Sequence, residues 1–244
     1  MKISIFTSIS IFTLSLQLLT SCKKSEESSL GVGLMAHYKF NNNIEDYSGK
    51  GNNGTAFGGS FNFELNRNGI YSFNGNGDYI KVNNSQSLNP TNAITISLWF
   101  KPVDYYGTGY DALVLKPYTS HTAPYYQYIL GIGGNRGLNP YSFAFNVNIN
   151  GVNTGINSGA NMWTGGNWYH VLATYNGHEL GLYINGELKK SVIAEGTITA
   201  YDTDIFLAKQ ANIGTTTPGA IDEVRIYNRA ITRQEILEIY QKSF

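Results

Sequence analysis

Among 244 residues the chain has a single cysteine, Cys22. No intramolecular disulfide and no thiolate metal cluster can form, so any core must hold by packing alone. Charge is scarce as well: 17 Lys and Arg balance 17 Asp and Glu, and charged residues make up only 14%. A chain with no basic excess offers no electrostatic footprint for nucleic acid. Catalytic signatures are also missing. There is no G-x-S-x-G, no P-loop, and no second cysteine to partner His37, His121, His170 or His178. Gly131-Ile132-Gly133-Gly134-Asn135-Arg136 departs from the dinucleotide fingerprint at its last position and lies in no βαβ pattern.

The amino-terminal stretch has a different composition. Lys2 precedes Ile3–Leu19, which is apolar with interspersed Ser and Thr, the layout of an export signal. Leu19-Thr20-Ser21-Cys22 resembles the lipobox of bacterial lipoproteins, in which the cysteine is acylated and becomes the first residue. This reading makes residues 1–21 a lipoprotein signal peptide, 22–31 a lipidated tether and 32–244 the folded domain. Its competitor is an ordinary signal peptide or membrane anchor with an incidental cysteine. Each buried acyl CH₂ contributes roughly 0.8 kcal/mol, so several chains would hold Cys22 firmly on a membrane. The following Lys23–Ser29 (KKSEESS) is polar and aperiodic, as a tether should be. Its basic-then-acidic order is similar to surface-export signals of some outer-membrane lipoproteins, though a solvated linker would read the same; the location expected is a bacterial outer membrane, facing the periplasm or the cell surface.

The clearest folded segment is Asn167–Ser191, NWYHVLATYNGHELGLYINGELKKS. Trp168–Tyr175 is aromatic, β-branched and aliphatic, and suits a half-buried strand. Leu180, Leu182 and Ile184 alternate with Gly181 and Tyr183, giving a second strand one apolar face. Asn185-Gly186 is a hairpin signal, because a type I′ turn needs two residues at positive φ. Glu187–Ser191 returns as a polar edge strand. Other strands are expected at Gly33–Phe40, Ala56–Phe63, Gly69–Phe73, Tyr79–Val82, Ala93–Lys101, Tyr141–Ile149 and Ala220–Tyr227, with one or two more in Ile198–Ala208, interrupted by Asp202-Thr203-Asp204. In Gly33–Phe40, Leu34, Ala36, Tyr38 and Phe40 share one parity. In Tyr141–Ile149 the aromatic and aliphatic residues share one face, while Ser142, Ala144, Asn146 and Asn148 share the other. That polar row suits sugar hydroxyls if the face is concave, and otherwise simply meets solvent. A terminal helix is announced by Thr232 and Glu235 at capping-box spacing, flanked by Ile231 and Ile236 as a hydrophobic staple.

Taken in order, these segments resemble a bacterial LamG-like jellyroll domain of the concanavalin A-like lectin/glucanase superfamily. The resemblance is carried by Leu34–Asn43 (LMAHYKFNNN), Asp46-Tyr47-Ser48-Gly49, Asn52-Asn53-Gly54, Tyr71–Gly75, Asp78-Tyr79-Ile80 and Ile94–Lys101. It continues through Trp168–Val171, Thr174–Gly177, Leu182–Gly186 and Ile221–Arg229 (IDEVRIYNR). It implies an all-β jellyroll β-sandwich of two curved antiparallel sheets. Val103–Trp163 fits the pattern poorly, and within it the tyrosine-rich Tyr105–Tyr128, interspersed with Gly107, Gly109, Pro117 and Pro124, is expected to be largely loop.

Relatives of this kind commonly hold Ca²⁺ near their loops. The D-x-S-G-x-x-N-x-G element implies Asp46 as a ligand, Asn43 and Gly51 as oxygen donors, and Asp222 as a ligand from the last strand. The alternative is that Asp46 caps its own turn through Ser48. Glucanases of the superfamily carry Glu-x-Asp-x-Glu on one strand, and this chain has no such run. Asp202-Thr203-Asp204 has two acids of one parity without a third, and the adjacent Asp222 and Glu223 should point to opposite faces of a strand. Retaining or inverting glycoside hydrolysis needs two facing carboxylates, so the expectation is a non-enzyme. The remaining candidates are tyrosines: 7 of 18 fall between Tyr105 and Tyr128. Tyr105, Tyr106, Tyr110, Tyr118, Tyr125 and Tyr126 are candidate carbohydrate-binding residues, since a flat ring covers a sugar face while its hydroxyl bonds. The same rings could instead cover the edge of the sandwich or fill its second core. The function expected is a tethered lectin-like or adhesive module whose partner is a polysaccharide or other glycan; the alternatives are a protein-interaction or structural subunit with a protein partner and, behind it, a glycoside hydrolase or polysaccharide lyase.

Overall fold

The computed structural model describes residues 29–104, 110–120, 122–134, 138–210 and 214–242. Cys22, Tyr105 and Tyr106 lie outside them. The strands are β1 (Leu34–Tyr38), β2 (Gly54–Phe57), β3 (Ser60–Glu64), β4 (Arg67–Phe73), β5 (Tyr79–Val82), β6 (Ile94–Pro102), β7 (Tyr110–Pro117) and β8 (Tyr126–Gly133). They continue with β9 (Phe143–Ile149), β10 (Val152–Asn157), β11 (Tyr169–Tyr175), β12 (Glu179–Ile184), β13 (Glu187–Ile193), β14 (Ile205–Leu207) and β15 (Gly219–Tyr227); a helix, α1 (Arg233–Lys242), follows.

One sheet has eight strands in the order β13-β12-β11-β6-β15-β4-β3, with β1 paired to β15; the other has seven, β10-β9-β8-β7-β14-β5-β2. All pairings are antiparallel. This is the expected jellyroll. The core lies between the sheets, where Ile94, Ile96, Leu98 and Phe100 of β6 join the same cluster as Phe143, Phe145, Val147 and Ile149 of β9. Each such side chain contributes about 1.5–3 kcal/mol on burial. The β11–β13 meander forms as its sequence dictates: Leu180, Leu182 and Ile184 enter the core, and Asn185 and Gly186 turn at φ +52° and +76°. β13 is an edge strand exposed along its whole length.

The outer face of the eight-stranded sheet is covered by α1. Ile236 and Ile239 pack with Ile231, Tyr227 and Leu172, and Tyr240 stacks on Trp99 with ring centroids 5.7 Å apart. The capping box is reciprocal, with Glu235 N–H donating to Thr232 Oγ1 at 3.2 Å and Thr232 N–H to Glu235 Oε2 at 2.7 Å.

Three expectations change. Ala56–Phe63 is two strands in different sheets, separated by Gly58 and Gly59 at φ +69° and +76°. A Cβ on Gly59 would sit 2.5 Å from the Tyr71 ring, so only glycine lets the chain cross there. Leu34 leaves the parity of Ala36 and Tyr38 because a bulge separates them; Met35 joins the core, and Leu34 packs on the α1 side. Finally, the tyrosine-rich stretch expected to be largely loop carries β7 and the start of β8.

Candidate carbohydrate-binding groove

On the outer face of the seven-stranded sheet, β8, β9 and β10 form a groove of about 370 Å³ lined by Tyr126, Ile129, Gly131, Ala144, Asn146, Asn153, Gly155, Ile156 and Asn157. Its origin is strand parity. With Phe143, Phe145 and Val147 drawn into the core, Ala144 and Asn146 must face outward. Cross-strand register places Ile129 beside Asn146 and Asn146 beside Gly155, with Gly131, Ala144 and Asn157 forming the next rung. Small residues on these rungs open the trough, and Ile129 and Ala144 give it an apolar floor. The Asn146 amide lies over Gly155, where an added Cβ would come 1.8 Å from Asn146 Oδ1.

The polar groups divide into fixed and free. Asn157 is fixed: its Nδ2 donates to Ser142 Oγ at 3.2 Å, and its Oδ1 accepts from Gly159 N–H at 2.8 Å. Asn146 and Asn153 make no side-chain hydrogen bond to another described residue. Each amide therefore keeps two donors and an acceptor for a ligand. The half-buried Tyr126 ring stands beside that of Tyr125, with centroids 6.0 Å apart, and burial raises its hydroxyl pKa.

At one end the trough is closed. Gln127 and Asn148 are buried beneath Tyr201, whose N–H donates to Gln127 Oε1 at 3.0 Å and whose hydroxyl accepts from Asn148 Nδ2. Tyr118 meets the Tyr201 ring edge-on at 4.7 Å. The expected tyrosines thus separate: Tyr126 lines the groove, Tyr125 leans on it, Tyr118 braces its end, and Tyr110 is described in backbone only. Tyr128 is core. Of the polar row in Tyr141–Ile149, Asn146 alone offers a free amide to the groove, since Asn148 and Ser142 are consumed internally.

The residues implied for calcium serve other purposes. Asp46 Oδ1 accepts from His37 N–H at 3.0 Å and Ser48 N–H at 2.8 Å; Oδ2 accepts from Ser48 Oγ at 2.7 Å and Asn52 N–H at 2.9 Å. Four hydrogens point at the carboxylate where a cation would need bare oxygen. Asn43 Oδ1 accepts from Glu45 N–H at 3.1 Å, and Gly51, at φ +74°, is exposed in the loop. Asp222 instead faces Arg67 at 2.6 Å, the two side chains only 6% and 2% exposed. As arranged, this donor set does not fit a cation. Among the described residues, no group of three or more His, Cys, Asp or Glu side chains is gathered for a metal.

The other ionisable groups also lie away from the groove. Arg67 is held between the Trp99 and Trp168 rings at 4.7 and 4.0 Å, and burial pushes the Asp222 carboxyl up to about 7 despite Arg67. A bulge after Asp222, with Glu223 at φ +51°, breaks the alternation behind the opposite-face expectation, and both residues line one 120 Å³ pocket. Burial raises the Glu223 carboxyl, but the hydrogen bond from His37 and the charge of Arg225 outweigh it and leave the group below its usual range. Asp202 and Asp204 flank Lys116, whose ammonium donates to Asn84 Oδ1 at 2.8 Å and to the Thr203 carbonyl; burial lowers it to about 8. His170 is a core histidine bonded to Ser97 Oγ at 2.9 Å and lowered by burial to about 3. The groove itself offers amides, a ring and an apolar floor, which are means of binding.

Two antiparallel sheets packed face to face, with a helix on one outer side, define the class as a jellyroll β-sandwich. Residues 74–237 match the Laminin_G_3 family of the concanavalin A-like lectin/glucanases superfamily, and the chain belongs to that family. No curated protein matches it by sequence. Among solved structures, the binding domain of Paraclostridial Mosquitocidal Protein 1 is similar over 86% of this chain and 52% of its own, at 18% identity and a TM-score of 0.70. The binding domain of botulinum neurotoxin serotype G matches over 85% of this chain and 50% of its own, at 18% identity and a TM-score of 0.67. The chain therefore spans about half the length of these toxin domains. Domain 4 of AbnA, a GH43 extracellular arabinanase from Geobacillus stearothermophilus, is covered over 98% of its length and 85% of this chain, at 20% identity and a TM-score of 0.64. At such identities the likeness establishes the fold.

Proposed function

We propose that this chain is a non-catalytic carbohydrate-binding module held by a lipid on Cys22 to a bacterial outer membrane. The observation that carries the binding half is the groove: free Asn146 and Asn153 amides beside the Tyr126 ring, over the apolar floor of Ile129 and Ala144. Sugars present hydroxyls and apolar C–H faces together, and this surface answers both. The AbnA domain was solved in complex with arabinotriose, which is consistent with a glycan on this fold. The non-catalytic half is supported by the groove lining, which brings no carboxylate or histidine to a ligand among the described residues. The anchor rests on Lys2, the apolar run and the lipobox-like sequence ending at Cys22.

Isothermal titration of the purified protein against arabino-, xylo- and gluco-oligosaccharides tests the binding half. Binding should occur with at least one, and Asn146→Ala and Tyr126→Ala should each weaken it about tenfold, the loss of one hydrogen-bonded or stacked contact. Failure of every oligosaccharide to bind, or binding untouched by both substitutions, refutes the assignment. For the anchor, Cys22→Ser should move the protein from the membrane to the soluble fraction; persistence in the membrane would exclude acylation as the tether.

A second reading, a protein-interaction subunit, is favoured by Phe63 and Leu65, which stand 72% and 92% exposed at the β3–β4 hairpin. Such apolar exposure marks contact surfaces.

A further inference from the structure

The lining of the groove also speaks to the class of glycan. Among its described residues there is no Lys, Arg, His, Asp or Glu: it consists of three asparagines, one tyrosine, two isoleucines, one alanine and two glycines. From these we infer that the groove selects an uncharged glycan and rejects one bearing carboxylates, an inference that rests on the carbohydrate-binding reading above.

A sugar hydroxyl both donates and accepts, and an asparagine amide offers two donors and one acceptor. Asn146 and Asn153 can therefore each engage hydroxyls in both senses. A uronate or other acidic sugar brings a group that only accepts. It can use the two NH₂ groups, but it leaves the amide oxygens facing negative charge. Anion-binding sites normally supply a guanidinium, an ammonium or a helix N-terminus for this purpose, and the groove is built from three strands.

Among the described residues, the lysines around this sheet are already committed. Lys116 is buried and bonded to Asn84 and the Thr203 carbonyl. Lys209 lies over the Tyr79 ring at 3.6 Å, and Lys81 pairs with Asp204 at 3.5 Å. The floor adds a second filter. Ile129 and Ala144 reward the dehydration of a C–H face, and a carboxylate moved onto that surface loses water without gaining a partner.

The test uses one backbone in two charge states. A neutral glucan and a neutral galactan are each oxidised at their C6 hydroxyls to carboxylates, and both forms of each are titrated against wild type, Asn146→Ala and Tyr126→Ala at 50 and 500 mM NaCl. The neutral form should bind with an affinity that both substitutions weaken and that changes less than twofold with salt. The oxidised form should bind at least tenfold more weakly. Oxidised polymer bound as tightly as neutral polymer, or more tightly with steep salt dependence and still through Asn146, overturns the charge inference and leaves the groove standing. Failure of both forms to bind, or binding that neither substitution changes, overturns the groove and the inference together.

Discussion

Gly155→Ala isolates the groove from the fold. The glycine is not at positive φ, so alanine brings no backbone strain. The new methyl would lie 1.8 Å from Asn146 Oδ1, 2.5 Å from its Cγ and 3.0 Å from the Phe145 carbonyl. The first two contacts cannot persist, and the Asn146 amide must swing away. The third asks the backbone to give by a few tenths of an ångström, which β10, at the sheet edge, can accommodate. Replacing glycine also removes unfolded-state freedom, a gain of about 0.4–1 kcal/mol, so stability should stay within about 1 kcal/mol of wild type. Binding should suffer. An amide that exchanges two hydrogen bonds with a sugar contributes about 0.5–1.5 kcal/mol for each, so its displacement should weaken affinity roughly 5- to 150-fold. Titration of Gly155→Ala, Asn146→Ala and the double variant against one oligosaccharide decides the matter. The three should lose affinity alike, because the first change already removes what the second deletes. Wild-type affinity in Gly155→Ala, or additive losses in the double variant, would refute the reasoning.

Two further predictions concern the scaffold. Arg229 donates to both oxygens of Glu235 at 2.8 and 2.6 Å, and this bidentate bond, with those from Ser29 and Thr232, lowers the carboxyl to about 2. A depressed carboxylate stabilises above its unfolded pKa and loses that contribution as pH falls toward the folded value. Glu235→Gln should therefore cost about 1–2 kcal/mol at pH 7, discounted from a full linkage of roughly 3 because water reaches the arginine, and the cost should shrink between pH 4.5 and 2; urea denaturation showing the same cost at pH 7 and pH 3 would contradict this. For the Asp46 loop, EDTA or millimolar calcium should move the melting temperature by less than about 1 °C, since a ligand bound only to the native state must stabilise it; a shift of several degrees would show that a cation displaces the hydrogen bonds on Asp46.

The meander at Asn167–Ser191, β6 and β9 were legible because each combines alternation with a clear boundary, and in each the apolar parity enters the core. α1 was legible because its cap and staple are written within six residues, from Ile231 to Ile236. Half of the groove escaped. β10 reads VNTGIN, and as an edge strand four of its six residues are polar or glycine while its apolar Val152 is exposed, so no period of two in hydrophobicity stands out. The available signal was Asn150-Gly151 between Ile149 and Val152, at φ +52° and +86°, the same hairpin chemistry that marked Asn185-Gly186. The β8 contribution escaped for another reason: the tyrosines' proximity in sequence suggests a common loop, whereas an irregularity in the β7–β8 register between the Tyr126 and Tyr128 pairings breaks strand parity, so that Tyr126 lines the groove and Tyr128 enters the core. The Asp222–Glu223 error came from a bulge, which alternation alone does not reveal.

The contacts around Arg229 have a directional consequence. Its guanidinium binds the Ser29 carbonyl at 3.0 Å and the Val32 carbonyl at 2.7 Å, and Ser29 in turn bonds Glu235 at the start of α1. The polypeptide therefore joins the sandwich on the helix-covered side, whereas the groove opens on the outer face of the opposite sheet. Those two faces point away from each other across a core about 10 Å thick. A pull on the chain at Ser29 therefore enters the sandwich beside α1, on the far side of the core from the groove. A polymer caught there would pull through the thickness of the sandwich, against the packed side chains of both sheets at once.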